Sequence, residues 1–309
     1  MTAILIVAGL VLLFAGGELL VRGAILVAAR ARVSSLMIGL TVVGFGTSTP
    51  ELATSLQSAL AGSPGIALGN IVGSNIANVL LILGLAAMIL PIPCPLPRVM
   101  SDGALMLGAS LALTGLAWGG LLGRFDGAIL VACLAGYLWF MWRQNRTGPE
   151  SGEFAPVKSG WRFVVLETSL VVAGIAGVVF GGHLLVRGAI DLAAHAGISE
   201  TVIGLTIVAV GTSLPELATS LVAAIRGQQD ICYGNIVGSN IFNVLGIAGV
   251  TALTKPVPVP GDILYFDLPV MIAVCLVMSI FSATGARLTR GEGAILLAGY
   301  GVYLFVITT

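Results

Sequence analysis

The sequence predicts an all-α integral membrane protein: ten transmembrane helices arranged as two inverted five-helix repeats. Three observations lead there. Only 9% of the 309 residues are charged and 57% are hydrophobic, whereas a soluble domain carries about 25% charged residues to wet its surface. Apolar runs close to the roughly 20 residues needed to span hydrocarbon recur along the whole chain. Three motifs of the first half return in the second, each displaced by the same 165 positions.

Reading apolar runs against polar breaks places the spans at 2–29, 35–60, 64–91, 101–119, 124–143, 161–194, 199–226, 230–253, 264–284 and 292–308. The first run has no basic residue before its apolar core and carries Glu18 and Arg22 at its far end, so it reads as a membrane helix and not as a cleaved leader. The stretch 144–160, rich in Gly, Pro, Ser and charge, reads as a linker between a first repeat at 1–143 and a second at 161–309.

The repeats are internal copies. Gly16-Gly17-Glu18-Leu19-Leu20-Val21-Arg22 returns as Gly181-Gly182-His183-Leu184-Leu185-Val186-Arg187. Gly46-Thr47-Ser48-Thr49-Pro50-Glu51 returns as Gly211-Thr212-Ser213-Leu214-Pro215-Glu216. Gly69-Asn70-Ile71-Val72-Gly73-Ser74-Asn75-Ile76-Ala77-Asn78 returns from Gly234 to Asn243, with Phe242 replacing the alanine. A five-helix unit starts on one face and ends on the other, so the second copy must be inverted, as in many secondary transporters. Lys and Arg fix the orientation. With the N-terminus outside, the inner connections hold Arg30, Arg32, Arg98, Arg143, Arg146, Lys158, Arg162, Arg226, Arg287 and Arg290, and the outer ones only Arg124 and Lys255. The expected setting is the cell membrane, with the linker in the cytoplasm.

The chemistry concentrates in the second and third motifs. Proline lacks an N–H and its ring clashes with the carbonyl four residues back, so Pro50 should free the carbonyl of Gly46 and Pro215 that of Gly211. Broken backbone at membrane depth is tolerated where it is buried in protein or lines a wet cavity. Thr47, Ser48, Thr212 and Ser213 add hydroxyls there, and Glu51 and Glu216 add carboxylates. In the other motif Ser74 and Asn78, four apart, share a helical face, as do Ser239 and Asn243. Asn75 and Asn240 read as helix caps or as ligands, and Asn70 and Asn235 as the starts of their helices.

These donors are hard oxygens, the set calcium takes in six to eight positions; sodium has the same preference. Paired His or Cys ligands are missing, which argues against zinc or copper. A charged carboxylate at the bilayer centre costs several kcal/mol. Two of them at repeat-equivalent positions balance one divalent cation or two monovalent ones. Pseudosymmetry is expected to bring both motif pairs together near the midplane.

At these residues the chain resembles the sodium/calcium exchangers of the Ca2+:cation antiporter superfamily, in their ten-helix prokaryotic form. The resemblance runs over essentially the whole chain and is most specific at the two Gly-Thr-Ser-x-Pro-Glu and two Gly-Ser-Asn motifs. It implies exchange of Ca2+ for Na+ by alternating access, with Glu51 and Glu216 as central ligands shared by the competing ions. It also implies oxygens from Thr47, Ser48, Thr212 and Ser213, carbonyls of Gly44 and Ala209, and side chains of Ser74, Asn78, Ser239 and Asn243. The first and sixth helices would slide against the other eight. In one respect the chain departs from the pattern: several exchangers carry an aspartate where Asn243 stands. An amide can ligate calcium but takes up no proton, so the counter-ion stays open between Na+ and H+, and potassium co-transport loses support.

Other classes fit less well. Net charge is zero, so nothing points to nucleic acid. Cys94, Cys133, Cys232 and Cys275 lie far apart and read as apolar packing residues. An intramembrane serine protease would need a base beside Ser74 or Ser239, and the two histidines, His183 and His195, lie outside the repeated serine motif. A channel is disfavoured because inverted repeats with a midplane site suit alternating access. No cofactor, catalytic residue or obligatory protein partner is expected; the partners are the two cations and the lipid bilayer. Glu18 and Arg22, one turn apart, read as a local ion pair or as a snorkelled face.

Overall fold

The computed structural model describes residues 2–94, 99–145, 160–195, 209–283 and 286–308. Most of the predicted linker, with Arg146 and Lys158, therefore lies outside the described residues, as do Arg98 and the first part of the expected span 199–226.

The described residues are helical almost throughout, and the chain crosses a membrane several times. In chain order the helices are α1 (Thr2–Ala31), α2 (Ser35–Thr47), α3 (Thr49–Leu60), α4 (Pro64–Ile89), α5 (Ser101–Ala117), α6 (Arg124–Asn145) and α7 (Trp161–His195). They continue with α8 (Leu214–Ile225), α9 (Gln229–Thr254), α10 (Ile263–Ala283) and α11 (Arg290–Thr308). Among the described residues seven helices are long and apolar enough to span hydrocarbon, and the pair α2–α3, bent by 44°, makes an eighth if counted as one broken span. The shorter apolar helices α5 and α8 fall at the expected spans 101–119 and 199–226. Bulky apolar side chains such as Ile4, Val11, Phe125 and Phe305 point outward, as the outer surface of a protein dissolved in lipid requires.

The chain forms two compact units, each drawing on both sequence halves: Met1–Pro50 with Trp142–Asn235, and Glu51–Met141 with Ile236–Thr309. In the first, α1 and α7 run antiparallel with their backbones in contact. Glycines make this possible: Gly9, Gly16 and Gly23 recur every seven residues on α1, and Gly174, Gly181 and Gly188 do so on α7. A Cβ on Gly16 would lie 2.6 Å from the Val178 nitrogen, and one on Gly174 only 2.5 Å from the Leu20 nitrogen. In lipid the drive to burial between helices is weak, and close backbone approach supplies the attraction instead. One end is tied by charge. Arg30, in the last turn of α1, forms a two-pronged pair with Glu167 near the start of α7, its Nη2 2.8 Å from Oε1. Glu18 pairs with Arg22 as expected, and also with Arg226 at the end of α8, whose Nε lies 2.8 Å from Oε2.

In the second unit, β1 (Ile92–Pro93) pairs antiparallel with β4 (Arg287–Leu288), and β2 (Leu121–Leu122) with β3 (Val257–Pro258). An offset of 165 residues maps β1 onto β3, and one of 166 maps β2 onto β4. Each two-stranded clip therefore joins one half of the chain to the other. Gly84 of α4 meets Gly293 of α11 closely, since a Cβ on Gly293 would sit 2.7 Å from the Gly84 carbonyl oxygen. Ile71, Ile76, Ile82, Leu83, Met106 and Leu113 fill the interior and are fully buried.

The α1–α7 contact has a direct test. Gly174→Leu forces a side chain into backbone and should cost about 3 kcal/mol or more, read as a clear fall in melting temperature and in monodisperse yield in detergent. Gly136→Ala meets open space and should leave both unchanged.

Candidate cation-binding site

The local sequence explains how the first polar segment is shaped. Gly39–Val43 forms a π-helical turn, followed by regular helix over Gly44–Thr47. Pro50 cannot continue the ladder, and the helix breaks at Ser48, whose backbone leaves the helical region at φ −80°, ψ 12°. The second half repeats this: Ser213 sits at φ −87°, ψ 8° just before α8, with Pro215 in the first turn. Glu51 and Glu216 thereby fall in the first turns of α3 and α8, where the exposed N–H groups and helix dipole favour negative charge. Both glutamates are fully buried.

The expectation that Pro50 frees the Gly46 carbonyl needs amending. That oxygen accepts a hydrogen bond from the Thr49 hydroxyl at 2.9 Å. Leu214, at the equivalent position in the second half, has no hydroxyl to do the same. The Gly44 carbonyl accepts from the Ser48 N–H at 3.2 Å and lies 3.3 Å from the Thr47 hydroxyl.

In the first unit the structure brings Thr47, Ser48 and Glu216 together. The Ser48 hydroxyl donates to Glu216 Oε1 at 2.8 Å, while Glu216 Oε2 has no hydrogen-bond partner among the described residues. Thr47 lies fully buried, its hydroxyl 3.1 Å from both the Val43 carbonyl and Asn235 Oδ1. Ser213 is buried and Thr212 partly so. Ala209 opens a short helical turn, Ala209–Gly211.

In the second unit Glu51, Ser74, Asn78, Ser239 and Asn243 are all buried. Asn78 opens a π-helical turn, Asn78–Leu83, and Asn243 lies in its counterpart, Phe242–Ile247. Such turns are rare and concentrate at functional sites. Asn78 Nδ2 donates to Asn240 Oδ1 at 2.9 Å. Both polar atoms of the Asn243 amide are buried without a partner among the described residues. A buried amide with no hydrogen bond costs roughly 1–3 kcal/mol, which a ligand to its oxygen would offset.

Four asparagines neither start nor cap their helices. Asn70 and Asn235 lie inside α4 and α9, beyond their first turns, and neither begins a helix. Each instead reaches sideways to the segment that carries a glutamate. Asn75 and Asn240 are not caps either: Asn240 Nδ2 lies 3.3 Å from the Asn75 carbonyl and 3.5 Å from Met106 sulfur, and Asn75 Nδ2 lies 3.6 Å from Met271 sulfur. Mid-helix polar side chains in a tightly packed bundle find partners on neighbouring helices, and this overrides their preference for helix ends.

The arrangement is one of carboxylates, hydroxyls, amides and broken backbone, with no cluster of three or more His, Cys, Asp or Glu side chains among the described residues. Such a donor set suits a hard cation. Residues 1–143 and 166–309 match the family model of the sodium/calcium exchanger protein. The chain belongs to the sodium/calcium exchanger family. Within it, the chain is 33% identical over 341 residues to the sodium/calcium exchanger MaX1 of Methanosarcina acetivorans, covering 98% of this chain and 97% of that one. It is 34% identical over 315 residues to a putative antiporter, CaxA, of Alkalimonas amylolytica, covering 98% of each chain. Among solved structures, the sodium-calcium exchanger NCX_Mj superposes with a TM-score of 0.84 at 32% identity, over 99% of this chain and 96% of that one. The exchanger family is a family of membrane transporters, and the all-helical fold expected from the sequence is the one observed.

Asn243 offers a test of the donor set. Asn243→Asp places a carboxylate where an unpartnered amide now stands and should change calcium affinity or its pH dependence in equilibrium binding. An unchanged isotherm at every pH would place this position outside the site.

Proposed function

We propose that this protein is a secondary active antiporter that exchanges Ca2+ for Na+ across the cell membrane by alternating access. Its N-terminus lies outside and the segment between the repeats in the cytoplasm. The observation that carries the reading is Glu216: a fully buried carboxylate, steadied on one oxygen by Ser48 and without a partner on the other among the described residues. Glu51 is its equivalent in the first repeat. Both carboxylates serve as ligands to the transported ions. Thr47, Ser48, Thr212 and Ser213, the carbonyls of Gly44 and Ala209, and the side chains of Ser74, Asn78, Ser239 and Asn243 provide further oxygens.

The mechanism follows from charge. A pair of carboxylates at membrane depth is costly when bare and balanced by one Ca2+ or by two Na+. The two kinds of ion compete because they need the same oxygens. An unloaded carrier reorients slowly because it would carry uncompensated charge through a low-dielectric barrier, and exchange is therefore obligatory. The donors at Asn78 and Asn243 are amides, which do not titrate, so any coupling to protons would fall to the two glutamates.

Radioactive calcium uptake into proteoliposomes tests this reading. An outward sodium gradient should drive uptake, and an outward proton gradient or no gradient should not. Glu51→Gln and Glu216→Gln should each abolish uptake while the purified protein stays monodisperse. Unaltered exchange in either variant would sink the two-carboxylate mechanism, and uptake driven by protons alone would replace the counter-ion.

A further inference from the structure

Glu216 and Glu51 lie at the start of helices that begin with a break, a place where backbone is loose. A carboxylate that must select among cations by fixed geometry cannot be left on a loose turn. Something has to hold that turn, and each sequence half holds it in the same way.

Asn235, fully buried on α9, points its amide at the first turn of α8. Its Nδ2 lies 3.3 Å from the main-chain oxygen of Glu216 and 2.9 Å from the hydroxyl of Ser220. These two acceptors are one helical turn apart, so the amide spans the turn that carries the carboxylate. Its other end, Oδ1, accepts from the Thr47 hydroxyl at 3.1 Å, next to the serine that holds Glu216 Oε1. Asn70 on α4 repeats the pattern: its Nδ2 lies 3.1 Å from the main-chain oxygen of Glu51 and 2.8 Å from the Ser55 hydroxyl. Ser55 and Ser220 are both fully buried. Asn70 and Asn235 are equivalent in the repeat, as are Ser55 and Ser220, and both halves keep the same pair of bonds.

We propose that Asn70 and Asn235 are positioning residues for cation binding: each amide clamps the first turn of a glutamate-bearing helix at two points, and thereby fixes where the carboxylate stands. The clamp rests on the reading of Glu51 and Glu216 as cation ligands. Only an amide suits the position. An acid there would set an anion against the glutamate carbonyl, and a serine would be too short to reach both acceptors. By accepting from Thr47, Asn235 also orients the segment that supplies Ser48, so main chain and carboxylate of Glu216 are held from two sides.

The chemical consequence separates affinity from capacity. Without its clamp the carboxylate still exists and still carries its charge, but it samples several positions. Ion affinity then falls while the number of sites does not.

Equilibrium binding of radioactive calcium to the purified full-length protein tests this, with wild type, Glu216→Gln, Asn235→Ala, Asn70→Ala and Ser220→Ala measured side by side. Asn235→Ala and Asn70→Ala should raise the dissociation constant about tenfold or more at unchanged capacity, the size expected for losing two buried hydrogen bonds. Ser220→Ala removes one anchor, leaves the amide–carbonyl bond and should raise it about threefold. That milder variant carries the test if either asparagine variant fails to fold. A loss of capacity at unchanged affinity, or wild-type binding in both the asparagine variants and Ser220→Ala, would overturn the clamp. If wild type binds calcium and Glu216→Gln binds it equally well, the ligand assignment has failed, and the clamp falls with it. If wild type and Glu216→Gln differ as expected, a negative result for the asparagines counts against the clamp alone.

Discussion

A carboxylate fully enclosed by protein is the constraint around which the rest of this structure is arranged. The charge of Glu216 is tolerable only where donors offset its burial. The donors are found at the helix break: a first-turn position on α8, a hydroxyl from Ser48, and a main chain secured by Asn235. The break exists because Pro215 and its repeat mate Pro50 cannot continue a helix, and the broken turns are tolerable because they are buried. Sequence, local backbone and electrostatics thus agree at this one place, and the agreement recurs 165 residues away at Glu51.

The glycine contact between α1 and α7 answers a different requirement. Two long helices whose outer faces are wetted by lipid gain little from burying more apolar surface against each other. They associate by bringing backbones together, which Gly9, Gly16 and Gly23 permit against Gly174, Gly181 and Gly188. The Arg30–Glu167 pair then ties one end of this seam.

Much of this was legible in the sequence because it is local or periodic. Apolar runs located the long membrane helices, the constant offset exposed the repeat, and proline beside glutamate marked the break. The Glu18–Arg22 pair followed from a spacing of four. What stayed hidden depends on partners far away in the chain. Nothing around Asn235 announces that its amide will reach Ser220 and Thr47, and a polar residue near Gly234 reads most simply as a helix start. Arg226 is 208 positions from Glu18 and looks like an ordinary basic residue at a membrane edge. The heptad glycines are visible, but their meeting requires knowing that α1 and α7 are neighbours. The π-helical turns at Asn78 and Asn243 leave no residue-level signal, because one extra residue in a turn is a matter of packing and not of composition.

The central claim is that sodium and calcium use the same carboxylates. Calcium binding to purified protein, titrated with rising sodium, tests it most directly. Shared ligands require sodium to displace calcium completely, with the apparent calcium dissociation constant rising and the capacity extrapolated to saturating calcium staying constant. Calcium that remains bound at saturating sodium, with its affinity unaltered, would mean that the two ions occupy separate sites and would contradict exchange through Glu51 and Glu216.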